Sequence, residues 1–421
     1  MSRDYALFEL DRRTLPGWPS GLVRRRVAEP ADPRDRALAE QIIVGVIKNL
    51  LLLQHLVSHY SGRSLKSVDP LVQKILAIAL YQMRHLDRVP DAAAVDEAVE
   101  QTRRFGRGRA AKFVNAVLRN ATREPSPPLP DEGDPARYAQ IVLSHPAGLF
   151  RRLEKLAGTE TALAICRHDN REAPTIVRAA SPPPADAGVA VEAHEMPGMY
   201  VVRGAKASLL AQWAQQGIAQ VQDPTAARVV HRAGLQAGQA VLDRCCGLGT
   251  KTLQMREQVG EGGYVVAMDP NAARIDGLRR MMAARGFANI AVHQAGMMEE
   301  LPADARRQFD RVIVDAPCSN SGVMARRPEA RYAQSERALT ALAKLQDRIL
   351  DDSADAIAPG GLLIYSTCSI WLEENQQRVQ AFLSRHGGFE LVEEDSVLPS
   401  ADVPDTAYHD GGYVAVLRRV E

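Results

Sequence analysis

The chain has 421 residues, enough for two or three domains, and its 46% hydrophobic and 24% charged content is ordinary for a soluble globular protein. Its longest apolar stretch, 42–56, is broken by Lys48, Asn49 and Gln54, and the N-terminus lacks the apolar core of a signal peptide, so neither a membrane span nor secretion is expected. Five cysteines, none at zinc-ligand spacing, argue against a disulfide scaffold or a bound metal and fit a reducing cytoplasm.

The net charge of +1 hides an asymmetry: residues 1–125 carry 21 Lys/Arg against 14 Asp/Glu. Basic clusters at Arg24-Arg25-Arg26 and at Arg103-Arg104 with Arg107 and Arg109 are either solvated helix surface or contacts to a polyanion, and their concentration in one segment favours the latter. Residues 33–122 predict helices. Asp35 is the expected cap of a long first helix whose apolar positions run from Ala37 through Ile42, Ile43, Val46 and Ile47 to Leu50 and Leu51. A second helix is expected over 69–85, opened by Asp69-Pro70, a third from Asp91 and a fourth from Arg109. The Pro-rich segment 124–130 reads as a stiff linker. Residues 136–170 return to a helical pattern, and 174–206 break into short β-like runs, which together suggest a small α+β connecting subdomain.

From about residue 236 strands and helices alternate. Strands are expected at 240–243, 264–268, 290–293, 309–315 and 361–366, helices near 250–258, 271–285, 335–358 and 373–385, and a closing strand, 412–417, at the sheet edge. This predicts a doubly wound α/β sheet with right-handed crossovers. The division expected is therefore 1–125 helical bundle, 126–235 linker and connecting subdomain, and 236–421 α/β domain.

Such sheets bind ligands beyond the carboxyl ends of their strands. The first strand runs into Asp243-Arg244-Cys245-Cys246-Gly247-Leu248-Gly249-Thr250-Lys251, a turn that a ligand can approach closely, and the second ends at Asp269, suited to both hydroxyls of a ribose. The dinucleotide pattern is incomplete, whereas S-adenosylmethionine lacks phosphate and its sulfonium suits the acids Asp243, Asp269 and Asp315. Two further strands end in Asp315-Ala316-Pro317-Cys318 and Tyr365-Ser366-Thr367-Cys368. Paired thiols at adjacent strand ends suit covalent chemistry on an electron-poor ring. Cys245, Cys246 and Cys166 read as packing residues, and His293 and His409 as structural.

These motifs, with Ser321-Gly322-Val323, Arg326-Arg327-Pro328-Glu329, Glu373-Glu374-Asn375, Gln222-Asp223-Pro224 and His409-Asp410-Gly411-Gly412, resemble the RsmB/NOP family of S-adenosylmethionine-dependent RNA cytosine-5 methyltransferases. The segment 34–122 is similar to the NusB-like RNA-binding domain of the bacterial branch that acts on small-subunit ribosomal RNA. The resemblance implies a multidomain protein: an all-α NusB-like bundle, a connecting α+β subdomain and a Rossmann-like class I methyltransferase domain. It implies Cys368 as nucleophile, Cys318 as the thiol assisting release and Asp315 at the cytosine edge. It places the cofactor on Cys245, Cys246, Gly247, Leu248, Gly249, Thr250, Lys251, Asp269, Gly296 and Asp315. A helix start expected near Cys368 would help hold it as thiolate. Arg326, Arg327 and Arg331, with Arg103 and Arg104, are the expected phosphate contacts of the RNA, and a monomer is expected. Three positions depart from the family pattern: Leu248 and Thr250 in the turn, and Gly296 where an Asp holds the adenine amine. Losing that hydrogen bond should weaken cofactor binding by about 1 kcal/mol. An RNA-binding assembly factor with weakened cofactor binding is the alternative expectation, and a DNA cytosine methyltransferase a weaker one.

Overall fold

The computed structural model describes residues 1–185, 188–303, 305–400 and 402–420. The chain divides into two units, Met1–Asn170 and Arg171–Glu421. The helices over 135–170 thus group with the N-terminal bundle rather than with the β-runs that follow them.

The first unit is helical. Its elements are α1 (Ser2–Asp11), α2 (Pro33–Lys48), α3 (Leu50–Ser61), α4 (Pro70–His85), α5 (Asp91–Arg104), α6 (Ala111–Arg123), α7 (Pro135–Ile141), α8 (Ala147–Ala157) and α9 (Thr159–Asn170). Asp69 caps α4 as its sequence predicts, accepting from the Leu71 and Val72 amides. The cap of α2 is Asp32, with Pro33 in the first turn, whereas Asp35 accepts from Ser2 Oγ on α1. The long first helix expected from periodicity breaks at Asn49 and turns by 81° into α3. Among the described residues no single helix is long and apolar enough to cross a membrane. The apolar faces of α2, α3 and α4 pack into one core around the fully buried Ile42, Leu53, Ile75 and Leu76.

The second unit opens with a small antiparallel sheet in the order β2–β3–β1–β4, built from β1 (Thr175–Arg178), β2 (Ala190–Ala193), β3 (Met199–Arg203) and β4 (Gln220–Val221), with α10 (Ala207–Gln216) between the last two. After α11 (Pro224–Arg232) come β5 (Ala240–Asp243), α12 (Thr250–Val259), β6 (Tyr264–Asp269), α13 (Ala272–Ala284), β7 (Ile290–Gln294), β8 (Phe309–Asp315), α14 (Glu336–Ala354), β9 (Ile357–Thr367), α15 (Gln376–Arg385), β10 (Phe389–Val397) and β11 (Gly412–Arg419). These strands form one mixed sheet, β10–β11–β9–β8–β5–β6–β7. β5 to β9 run parallel, and β11 pairs antiparallel with both β9 and β10.

Side chains alternate across that sheet as the pleat requires. Leu242, Val312, Val314, Leu363 and Tyr365 face α14 and α15, packing on Ile349, Leu350 and Phe382. Val241, Ile313, Ile364 and Val414 face the other way, onto Val229, Val230 and Met255 of α11 and α12. The expected edge position of the closing strand is wrong: β11 lies inside the sheet, and the edge is β10, which the sequence reading left out. β10 carries Glu390, Glu393, Glu394 and Asp395, charges that suit a solvated edge and obscure strand periodicity.

Candidate active site

β5 starts the α/β order, and the chain winds outward from it first to β6 and β7, then crosses to β8 and β9. A cavity of about 570 Å³ opens at this switch point, beyond the carboxyl ends of the parallel strands. It is lined by Asp243 from β5, Asp269 from β6, Asp315 from β8 and Cys318 and Cys368 from the loops after β8 and β9. The register pairs Asp315 with Ser366, so the two thiol-bearing loops leave the sheet side by side.

The Gly247–Gly249 turn takes positive φ at both glycines, and a Cβ on Gly249 would meet the Leu278 side chain at 2.2 Å. The Gly247 amide donates to Asp269 Oδ2 at 3.1 Å and the Asn271 amide to Oδ1 at 2.8 Å, which fixes the expected ribose acid at the cavity wall. Asp243 is buried. Thr252 Oγ1 donates to its Oδ2 at 2.6 Å, while Oδ1 has no hydrogen-bond partner among the described residues. Burial pushes its carboxyl up to about 7. An orphaned carboxylate oxygen beside an acidic cavity fits a cationic ligand, and S-adenosylmethionine carries its charge at sulfur.

Lys251 Nζ lies 2.6 Å from Asp315 Oδ2, and Ser366 Oγ donates to Oδ1 at 3.0 Å. Burial opposes the charge on Lys251, but the Asp315 carboxylate outweighs it and its pKa is raised. The thiols meet: Cys318 Sγ and Cys368 Sγ are 3.0 Å apart. The hydrogen bond to Cys368, burial and nearby negative charge hold the Cys318 thiol well above the ordinary cysteine range, so it keeps its proton. Cys368 has no helix start beside it; α15 begins at Gln376. What presents Cys368 is backbone. The Gly322 amide donates to the Cys368 carbonyl at 2.9 Å, and a Cβ at Gly322 would lie 2.5 Å from the Gly411 carbonyl oxygen.

Two residues that the sequence left without a role organise this centre. Glu374 is fully buried and accepts from the Ser319 amide (2.9 Å), Ser319 Oγ (2.5 Å), Ser369 Oγ (2.5 Å) and Gln346 Nε2 (3.1 Å). It therefore ties the residue after one thiol to the residue after the other. Asn320 sits at φ +58°, a left-handed conformation that Asn tolerates, with Oδ1 3.3 Å from Cys368 Sγ and Nδ2 donating to the Cys318 carbonyl.

Other expected residues stand apart. Gly296 does not line the cavity. Its amide donates to Glu300 Oε2 and its carbonyl accepts from Arg244 Nη2, each at 2.7 Å, so the backbone groups it offers are engaged. Gly249 also faces away, toward α13. Cys245 and Cys246 border the cavity, and burial pushes the Cys245 thiol up to about 12. Arg326 is held between Asp223 and Asp410, at 3.4 and 2.8 Å. Burial and the Asp410 carboxylate push Asp223 up to about 7. Arg331 is 1% exposed and faces the interior rather than a phosphate, whereas Arg327 is exposed on the cavity rim. In the helical unit Arg103 pairs with Glu100, and Arg104 with Asp4 and Glu97.

A doubly wound sheet with this turn and the acids Asp243 and Asp269 at its switch point is the architecture of a Rossmann-like methyltransferase, the class that uses S-adenosylmethionine. A family model described as 16S rRNA methyltransferase RsmB/F matches residues 233–418, and one described as the NusB family matches 19–123. The chain is 30% identical to ribosomal RNA small subunit methyltransferase B of Vibrio cholerae, with 92% of this chain and 90% of that protein covered. It is 29% identical to the probable ribosomal RNA small subunit methyltransferase B of Bacillus subtilis, with 92% and 89% covered. The crystal structure of PH0851 shares the fold with a TM-score of 0.74 at 20% identity, covering 92% of this chain and 91% of its own. The chain belongs to the RsmB/F methyltransferase family.

Proposed function

We propose that the protein methylates carbon 5 of a cytosine in small-subunit ribosomal RNA through a covalent adduct on Cys368, acting as a cytoplasmic monomer. The observation that carries this reading is the 3.0 Å approach of the Cys318 and Cys368 sulfurs at the wall of a cavity shared with Asp315 and Lys251. Carbon 5 of cytosine is a poor nucleophile. When the Cys368 sulfur bonds to carbon 6, the ring electrons move toward carbon 5 and nitrogen 3, and carbon 5 becomes enamine-like. Asp315, positioned by Lys251 and Ser366, stabilises a proton on nitrogen 3. Bound S-adenosylmethionine supplies the electrophilic methyl group. Water takes the carbon-5 proton, the sulfur–carbon bond breaks with its electron pair returning to sulfur, and release of the nitrogen-3 proton leaves the neutral aromatic ring, while the Cys318 thiol donates to the departing sulfur as it recovers its charge. Asp243, Asp269 and the 245–251 turn would hold the cofactor.

The names and near-full-length match of the Vibrio and Bacillus relatives support ribosomal RNA as the substrate. The basic excess of residues 1–125 supports salt-dependent binding to phosphates.

Cys368→Ala should abolish both methyl transfer and adduct formation. Cys318→Ala should leave protein covalently attached to RNA, visible as a slow band on a denaturing gel. The opposite pattern in the two variants overturns the assignment. Bisulfite sequencing of small-subunit ribosomal RNA from cells lacking the gene should show one cytosine losing its protection.

A further inference from the structure

The three arginines that follow the Pro-Cys turn have separate fates. Arg326 is clamped by two carboxylates and Arg331 is buried. Arg327 is exposed and has no ion pair among the described residues. It borders two spaces at once: the main cavity and a second hollow of about 230 Å³. Cys318 and Asn320 are likewise shared by both. The floor of the hollow is apolar, formed by Ala330, Ala333 and Ala338, with Leu342 on α14. Its rim carries Glu329, exposed and without an ion pair among the described residues.

We propose that this hollow holds the nucleotide next to the target cytosine, with its base on the apolar floor and the linking phosphate on Arg327. The inference rests on the reading of the neighbouring centre as an RNA methyltransferase. A cytosine that reaches Cys368 has left its stack, and the face of its neighbour is uncovered by that departure. An apolar floor beside the entry can cover such a face, as apolar side chains do around a base taken out of its stack. The phosphate between the two nucleotides must pass the boundary between the two spaces, and Arg327 is the cation on that boundary. A carboxylate accepts hydrogen bonds, so the Glu329 rim suits a base edge that presents N–H donors to it.

Steady-state methylation of transcribed small-subunit ribosomal RNA by the full chain tests this. Arg327→Ala should raise the KM for RNA about tenfold, leave kcat and the KM for S-adenosylmethionine within about twofold, and flatten the log–log salt dependence by about one unit. On short RNAs carrying the mapped cytosine, an abasic residue at one neighbouring position should raise the KM of the wild type. It should cost nothing further in Ala338→Trp, whose indole fills the hollow. An unchanged KM in Arg327→Ala, a change in the KM for S-adenosylmethionine instead, or an abasic penalty of equal size in the wild type and Ala338→Trp overturns the assignment. A wild-type chain that binds S-adenosylmethionine but transfers nothing to any RNA overturns the methyltransferase reading itself, and this inference with it.

Discussion

At the scale of single residues, two side chains set how the centre behaves. Glu374 receives donors from both thiol-bearing loops, so its carboxylate holds the sulfurs in register. Glu374→Gln keeps the volume but places an amide where an acceptor is needed. Each buried donor left unpaired costs about 1–3 kcal/mol. We expect kcat to fall at least about tenfold while RNA affinity is kept, and covalent adduct to accumulate relative to product because Cys318 no longer meets the leaving sulfur. An adduct-to-product ratio equal to the wild type's, measured by gel and methyl transfer together, would leave Glu374 a merely structural residue. Asp243 makes a pH prediction. Its carboxyl titrates near 7 because burial disfavours the charge. Below that pH it carries a proton and offers nothing to a sulfonium; above it the carboxylate attracts one. Affinity for S-adenosylmethionine should therefore rise several-fold from about pH 6 to about pH 8, and less for S-adenosylhomocysteine, whose sulfur is neutral. Calorimetric titrations giving parallel, flat profiles for both ligands would contradict this. The sulfurs and acids were legible in sequence because their types are tied to their chemistry. The role of Glu374 was not, since Ser319 and Gln346, which donate to it together with nearby Ser369, are distant along the chain.

At the scale of elements, pattern predicted type better than placement. The α/β alternation was readable because buried parallel strands are short apolar runs between amphipathic helices. The break at Asn49 was not, because the apolar spacing continues from α2 into α3 and only packing bends the chain there. The order of β10 and β11 is likewise a matter of pairing. α1 shows how an element absent from the periodicity is anchored: Asp11 at its end accepts from Lys74 Nζ on α4 at 2.6 Å, with both side chains buried. The Pro19 carbonyl and the Val23 amide complete the network. Lys74→Met should destabilise the helical unit by about 3 kcal/mol, because it leaves a buried carboxylate without its cation. Urea unfolding of the single variant and of Lys74→Met with Asp11→Asn checks this: the double variant should regain part of the loss.

At the scale of the whole molecule, the chain forms two units that meet in sequence at Asn170 and Arg171, each with its own core. Unfolding of such a chain need not be two-state. Because the residues proposed to hold the cofactor all lie in the second unit, S-adenosylmethionine should raise the melting transition of that unit and leave the helical one in place, as calorimetry with and without ligand can read. A single transition moving as a whole would show the two to be coupled. The amino-acid sequence alone determined the layers and the family and pointed to the candidate sulfurs and acids, since periodicity, turn chemistry and short motifs are local properties of a chain. Only the tertiary structure decided which of the three arginines stays exposed and outside an ion pair among the described residues, which buried carboxylate oxygen has no partner among them, where the closing strand pairs and what holds the two sulfurs together. Burial and hydrogen-bond partnership depend on residues that are far apart until the chain has folded.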